Sequence, residues 1–403
     1  MAQTPTVETI YNFTHQSGGA PAAGVTIGSG GELYGTTDGS GIGTVFSLTP
    51  PSAPGGLWTE HILHEFSNSP DGFLPQAGVT VGPGGIVYGT TFYGGDTLCA
   101  QDLGCGTVFS VTPPAAPGDP WTEAVIHAFN DEDGSGPASN LAVRKDGVLY
   151  GTTSRGGSIF EENCGTVFSL APPAVAGGAW TERVLHMFAG PADGCNPNGV
   201  AIGAGGVLYG TTSQQGPGEL GTVFALAPTT AGGAWTETIL YSFAYDSQGG
   251  KSDGANPSSA VTIGGNGALY GTTGTGGTGA VCACGTVYSL TPPAAAGGAW
   301  TKTILYSFGA TATDPSFPQG VTFGSGGRVL YGTTLDSGGG CCGVLYLLSP
   351  PPVSGGNWME TILYSSTTPG GVNAGLAVGK NGVVYGSAGG LDESGGTVFA
   401  YLP

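Results

Sequence analysis

The sequence predicts an all-β chain built as a radial array of seven four-stranded units, and three observations carry that prediction. A Leu/Val-Tyr-Gly-Thr-Thr motif recurs with its tyrosine at Tyr34, Tyr88, Tyr150, Tyr209, Tyr270, Tyr331 and, as Tyr-Gly-Ser, Tyr385, at spacings of 54 to 62 residues. Between the motifs, β-branched and aromatic residues alternate with polar ones at period two, and Gly or Pro marks each junction, which excludes helices almost everywhere. Tryptophan recurs at Trp58, Trp121, Trp180, Trp235, Trp300 and Trp358, each time after a Pro/Gly-rich turn. One copy offers about four short strands, too few to bury a core alone, so the copies must share one. The expected fold is a seven-bladed β-propeller, four antiparallel strands per blade, forming a single domain over residues 1–403.

The fifth copy shows the strands, named a to d in chain order. Ala260 to Gly264 alternates, Leu269 to Thr273 follows a Gly-Asn-Gly turn, Gly285 to Thr291 alternates again, and Trp300 to Phe308 closes the unit. Strand a carries small residues at one position (Thr26, Thr80, Ala142, Ala201, Thr262, Thr322, Ala377), as a crowded axis requires. The tryptophan opening strand d suits a wedge between neighbouring blades. At the termini, residues 6–13 match strand d, whereas the last copy stops after strand c at Tyr401. The N-terminal strand d is therefore expected to join C-terminal strands a to c. It would complete the last blade, formed by 375–402, close the array and remove its free sheet edges.

Composition narrows the partners. With 8 Lys+Arg against 27 Asp+Glu and a formal charge of -19, the surface repels phosphate backbones and anionic headgroups, so neither nucleic acid nor membrane insertion is expected. No apolar run is long enough to span a bilayer. Eight cysteines with local spacings and few lysines point to an oxidising, extracellular or periplasmic location, with an export leader removed. A monomer is expected.

The unit Gly-Thr-Val-Phe-Ser-Leu, Trp-Thr-Glu-Thr-Ile-Leu-Tyr-Ser-Phe, Asp-Gly-Ala-Asn-Pro and Leu-Tyr-Gly-Thr-Thr resembles the Gloeo-Verruco (GloVer) tandem repeat over essentially the whole chain. That resemblance implies an exported bacterial protein and no particular reaction. Strand order is also similar to that of kelch propellers, although Thr-Thr stands where kelch strand b ends in paired glycines.

Strands alternate in direction, so the a-b and c-d turns share one face and the b-c and d-a loops the other. The turns are monotonous. The b-c loops vary from five residues (38–42) to fourteen (92–105), and seventeen of the 27 acids fall in the variable loops, which places any site there. The densest cluster is Asn130-Asp131-Glu132-Asp133-Gly134, with Glu161 and Glu162 on the same blade's b-c loop, so Asp131, Asp133, Glu161 and Glu162 are candidate Ca²⁺ ligands. No organic cofactor is indicated. Asp71, Asp133, Asp193, Asp253 and Asp314 each precede a proline by four residues, which reads as a turn in which the Asp bonds its following backbone. Amides Gln76, Asn140, Asn198, Gln319 and Asn373 stand just before strand a and are candidate ligand-binding residues at a funnel mouth, where calcium-dependent propeller hydrolases hold their ion.

His64, His127 and His186 share one strand-d position, occupied elsewhere by Tyr11, Tyr241, Tyr306 and Tyr364, so they stand in different blades and are read as structural. Cys105, Cys164, Cys284 and Cys342 share the position before strand c. Cys99 to Cys105 and Cys164 to Cys195 are the expected bridges. Cys282, Cys284, Cys341 and Cys342 leave two arrangements open, a vicinal Cys341–Cys342 bond or exchange between adjoining blades. The leading functional expectation is an exported propeller that binds a small-molecule or glycan ligand, or another cell-surface component, through its acidic loop face. The alternative is a divalent-metal-dependent hydrolase of esters, lactones or phosphoesters at the funnel mouth. A lyase or glycosidase with paired carboxylates is a third.

Overall fold

The computed structural model describes the chain apart from residues 1–4, 15–17, 40–41, 54, 96–98, 100–102, 117, 158–162, 176, 230–232, 296, 339–341, 354–355, 368–370 and 390–394. The architecture is a seven-bladed β-propeller of antiparallel sheets in the order a-b-c-d. Packing divides the chain into two compact units. One comprises Met1–Glu8, Ala189–Ala388 and Ala400–Pro403, and the other Thr9–Phe188 and Gly389–Phe399. Repeats one to three lie in the latter, and repeats four to six in the former. Among the described residues no helix is long and apolar enough to cross a membrane.

Strand a is shorter than its alternation suggests. In the fifth repeat it covers only Thr262–Ile263, with a separate segment at Ala255–Pro257. In the fourth and sixth repeats the two pieces merge across a bulge into Cys195–Ile202 and Ser316–Phe323. The small strand-a residues have a more specific use than filling a crowded axis. The hydroxyl of Thr26 donates to the carbonyl of Val79 in the next repeat at 2.6 Å, and Thr80 donates to Leu141 at 2.7 Å.

The expected closure needs correction. Among the described residues no sheet is closed by hydrogen bonds: the seven sheets are separate and open, and the N-terminal strand Thr6–Asn12 lies in one of them, in the order Thr6–Asn12, Thr397–Leu402, Val384–Ala388, Ala377–Val378. Bringing the two ends of the chain into one sheet adds a blade without joining any sheet to itself, and strand d remains a sheet edge. The physical reason is that neighbouring blades meet through side chains and isolated hydrogen bonds, whereas closure by hydrogen bonds requires a continuous backbone ladder.

The glycine of Tyr-Gly-Thr-Thr governs how each blade packs. Gly35, Gly89, Gly151, Gly210, Gly271 and Gly332 on strand b face Phe46, Phe109, Phe168, Phe224, Tyr288 and Tyr346 on strand c, and those six aromatics are fully buried. A Cβ added at Gly151 would lie 2.5 Å from Phe168 Cζ, so the ring occupies the space a side chain would need. The same rings meet the phenylalanine ending the preceding strand d edge to face. Phe66–Phe109 and Phe129–Phe168 centroids are 5.1 Å apart, and Phe308–Tyr346 centroids 5.3 Å apart. Trp121 and Trp180 pack edge-on to Tyr34 and Tyr88 of the preceding repeat at 6.2 and 5.9 Å.

The Thr-Thr pair that replaces kelch glycines closes the neck of the b-c loop. Its second hydroxyl meets the first threonine of strand c, as in Thr37–Thr44 at 2.8 Å and Thr153–Thr166 at 2.9 Å.

Two substitutions test this packing in opposite directions. Gly151→Ala is expected to destabilise the fold by about 1–3 kcal/mol through overpacking against Phe168. The Tyr288 hydroxyl is buried without a hydrogen-bond partner among the described residues, so Tyr288→Phe is expected to be neutral or to stabilise by up to about 1 kcal/mol. Chemical denaturation of both variants reads the sign directly.

Candidate metal centre at a blade seam

Strand d breaks its alternation at the same point in six repeats. The register shifts between Val45 and Phe46 opposite strand d of repeat one, and equivalent shifts recur in repeats two to six. This bulge inserts the residue before the His/Tyr position, so Leu63 and His64 are both turned inward although they are consecutive. The imidazole of His64 then rests edge-on against Phe66 at 4.9 Å, which fixes its ring.

His64 Nε2 lies 3.1 Å from Asp71 Oδ2, and a ligand atom of each of His64, Asp71 and Glu123 falls within 4.8 Å of the others. Asp71 comes from the d-a loop, where its carboxylate also accepts the Ser67 N–H at 2.9 Å. The neighbouring Gly72 has φ +135, and a Cβ there would strike Thr91 Oγ1, so Asp-Gly is needed for the loop to pass this close to strand b. Glu123 comes from strand d of the next repeat, and its Oε1 is buried without a hydrogen-bond partner among the described residues. Burial, reinforced by the Asp71 charge and opposed by His64, pushes its carboxyl up to about 7.

The same position recurs at other seams, with the same three residue types at His127 and with different chemistry at Tyr306 and Lys302. His127 Nε2 meets Asp133 Oδ2 at 3.0 Å, and both groups act electrostatically on Glu182, whose carboxyl burial pushes up to about 7. Tyr306 donates to Asp314 at 3.2 Å and to Glu360 at 3.1 Å. In repeat five a lysine replaces the glutamate: Lys302 Nζ sits 2.6 Å from Asp253 Oδ1 and against the rings of Tyr241 and Phe243.

The candidates from sequence fall at several places. Asp133 is committed to His127 and to the Asn130 N–H at 3.0 Å. Asn130 Oδ1 accepts the N–H groups of Glu132 and Asp133, and Asp131 is exposed. Glu161 and Glu162 lie outside the described residues. Among the amides, Gln76 and Asn140 are exposed, Asn198 Nδ2 donates to the Pro257 carbonyl at 2.8 Å, Gln319 donates to the Phe317 carbonyl, and Asn373 donates to Ser387 Oγ. The aspartates four residues before proline bond backward, not forward: Asp193 accepts the Ala189 N–H, and Asp314, which precedes Pro315, those of Gly309 and Ala310. Cys99 and Cys105 are bonded, and Cys282 is bonded to Cys284. Cys164, Cys195 and Cys342 are also in disulfides, while Cys341 lies outside the described residues.

His64 and Glu123 are the site residues that sequence reading passed over. Looking for the three histidines to meet one another obscured the partners each could find in its own seam. The signal was present in the consecutive inward pair Leu63-His64, which breaks period two, and in an Asp seven residues later.

Residues 97–295 match the family model described as the Gloeobacter/Verrucomicrobia repeat. No curated protein matches the sequence. Among solved structures, the chain is similar in fold to a fungal alcohol oxidase of the AA5 family in complex with copper. The identity is 12%, the TM-score 0.56, and the match covers 100% of this chain and 77% of that one. It is also similar to PorZ, a surface component of the type-IX secretion system of Porphyromonas gingivalis, at 14% identity and TM-score 0.54, covering 95% of this chain and 46% of PorZ. A Lactobacillus plantarum protein matches at 15% identity and TM-score 0.51, covering 86% of this chain and 84% of that one. At these identities the likeness shows the fold alone.

The raised seam carboxyls set a pH dependence. At Glu360, burial and then the Asp314 charge raise the folded carboxyl from 4.5 to about 7, against the Tyr306 hydrogen bond. Between those values the folded chain holds a proton that the unfolded chain has released, so stability rises as pH falls through the window. A thermal melt is expected to give a higher Tm at pH 5 than at pH 8. Glu360→Gln should raise Tm at pH 8, leave it unchanged at pH 5, and so flatten the profile.

Proposed function

We propose that this chain of Gloeobacter/Verrucomicrobia repeats is an exported propeller that binds a divalent cation at His64, Asp71 and Glu123. The observation carrying the reading is the convergence of one imidazole and two carboxylates within 4.8 Å, drawn from the d strands of two repeats and the d-a loop that leaves the first. An imidazole with two carboxylates suits Zn²⁺ or Mn²⁺ better than Ca²⁺, which takes six to eight oxygen ligands. Three protein ligands leave coordination positions for an oxygen-bearing ligand. Hydrolysis of an ester, lactone or phosphoester is the reaction such an arrangement favours. Export is supported by the cysteines: none of those described is a free thiol, as an oxidising compartment requires.

A second reading, ligand binding without turnover, draws on the d-a loop of repeat four. There Tyr245 is 47% exposed with Lys251 Nζ 5.9 Å from its ring centroid, a platform on which a sugar could stack.

Metal analysis of the purified protein, followed by a screen of ester, lactone and phosphoester substrates with and without chelator, tests both. About one bound ion per chain is expected, lost in His64→Ala, together with turnover that the chelator abolishes. An apo protein after equilibration with Zn²⁺ and Mn²⁺ would sink the cation reading. Retention on a glycan array, lost in Tyr245→Ala, would then favour the second.

A further inference from the structure

We infer that the Cys282–Cys284 disulfide is a thiol–disulfide exchange site that accepts electrons from a cysteine-containing polypeptide. The two cysteines are separated by a single alanine and bonded to each other, with Cα atoms 5.2 Å apart. So small a ring restricts the unfolded chain little, because the entropy a cross-link removes grows with the loop it closes. Access also sets this pair apart. Cys99, Cys105, Cys164, Cys195 and Cys342 are buried, whereas Cys282 and Cys284 are only partly buried.

The surroundings give that access a direction. Cys284 packs against the core cluster containing Val287 and Phe308, while the Cys282 sulfur lies over Gly309, where any Cβ would collide with it. Val281, beside Cys282, is 60% exposed, and Phe317, whose N–H donates to the Cys284 carbonyl at 3.1 Å, is 43% exposed. Phe317 also holds φ +57. The corresponding position is Leu74 in repeat two and Gly136, Asn196 and Asn256 in repeats three to five, all at positive φ, so the conformation belongs to the repeat, and what sets repeat six apart is that the side chain there is an exposed aromatic. Val281 adjoins the disulfide along the chain and Phe317 through its N–H, and these exposed apolar side chains would be covered by an extended peptide and not by a small thiol.

The exchange balances without a further reagent. A thiolate of the incoming dithiol attacks Cys282 Sγ, the Cys282–Cys284 bond breaks, and Cys284 leaves as a thiolate that takes up a proton. The second thiol of the partner then attacks its own mixed sulfur, closing the partner's disulfide and releasing Cys282 as a thiol. Two electrons and two protons pass from the dithiol to this pair.

The test is limited reduction of the folded protein by dithiothreitol and by a peptide dithiol bearing apolar residues, followed by alkylation and peptide mapping. Cys282 and Cys284 are expected to be labelled at least about tenfold faster than Cys99 and Cys105, with the circular dichroism spectrum unchanged. Phe317→Gly is expected to slow the peptide several-fold and leave dithiothreitol unaffected. Labelling of Cys282 and Cys284 no faster than Cys99 and Cys105, or only as the spectrum collapses, would overturn the inference. Equal rates with both reductants in the parent and Phe317→Gly proteins would overturn the polypeptide as partner.

Discussion

The contact on which this molecule depends is the aromatic side chain of strand c filling the space left by the strand-b glycine. Phe168 over Gly151 stands for six repeats. With no Cβ beneath it, the ring settles onto the backbone of its own sheet and turns its edge to the phenylalanine that ends the preceding strand d. One pair therefore sets both the packing within a blade and the approach of its neighbour. Phe46, Phe109, Phe168, Phe224, Tyr288 and Tyr346 all occupy this position, and each is excluded from solvent.

Around that apolar contact lies a polar position that the fold tolerates in several forms. The strand-d bulge turns a His or Tyr inward beside an Asp from the d-a loop, and strand d of the next repeat contributes a Glu or Lys. A tyrosine hydroxyl bridges the two carboxylates at Asp314 and Glu360, and an ammonium neutralises Asp253. At His64 the same geometry gathers nitrogen and oxygen ligands instead. A seam that gathers partly buried carboxylates must balance their charge, by a proton as at Glu360 or by an ammonium as at Asp253.

How much was legible in the sequence followed from how local each interaction is. The strands, the repeat boundaries and the pairing of Cys99 with Cys105 depend on neighbours a few residues away, and alternation and turn residues reveal them. The bulge at Leu63 was less visible, because a single extra residue in a seven-residue strand resembles noise in a period-two pattern. Asp71 was visible as part of a turn but not as a partner of Glu123, which lies in the next repeat and is reached only through blade packing. The amides before strand a share an offset but not a role: Asn198 spans to Pro257, while Gln319 bonds within its own strand.

By itself the sequence determined the number of repeats, the four strands in each and the all-β class, since side-chain period and turn chemistry act along the chain and need no partner from afar. Only the tertiary structure decided that the blades meet by side chains and not through a closed ladder, that His64 finds Asp71 and Glu123, and that Cys282 pairs with Cys284. Those outcomes depend on distances across seams and within loops of irregular length, where neither periodicity nor spacing in sequence measures separation in space.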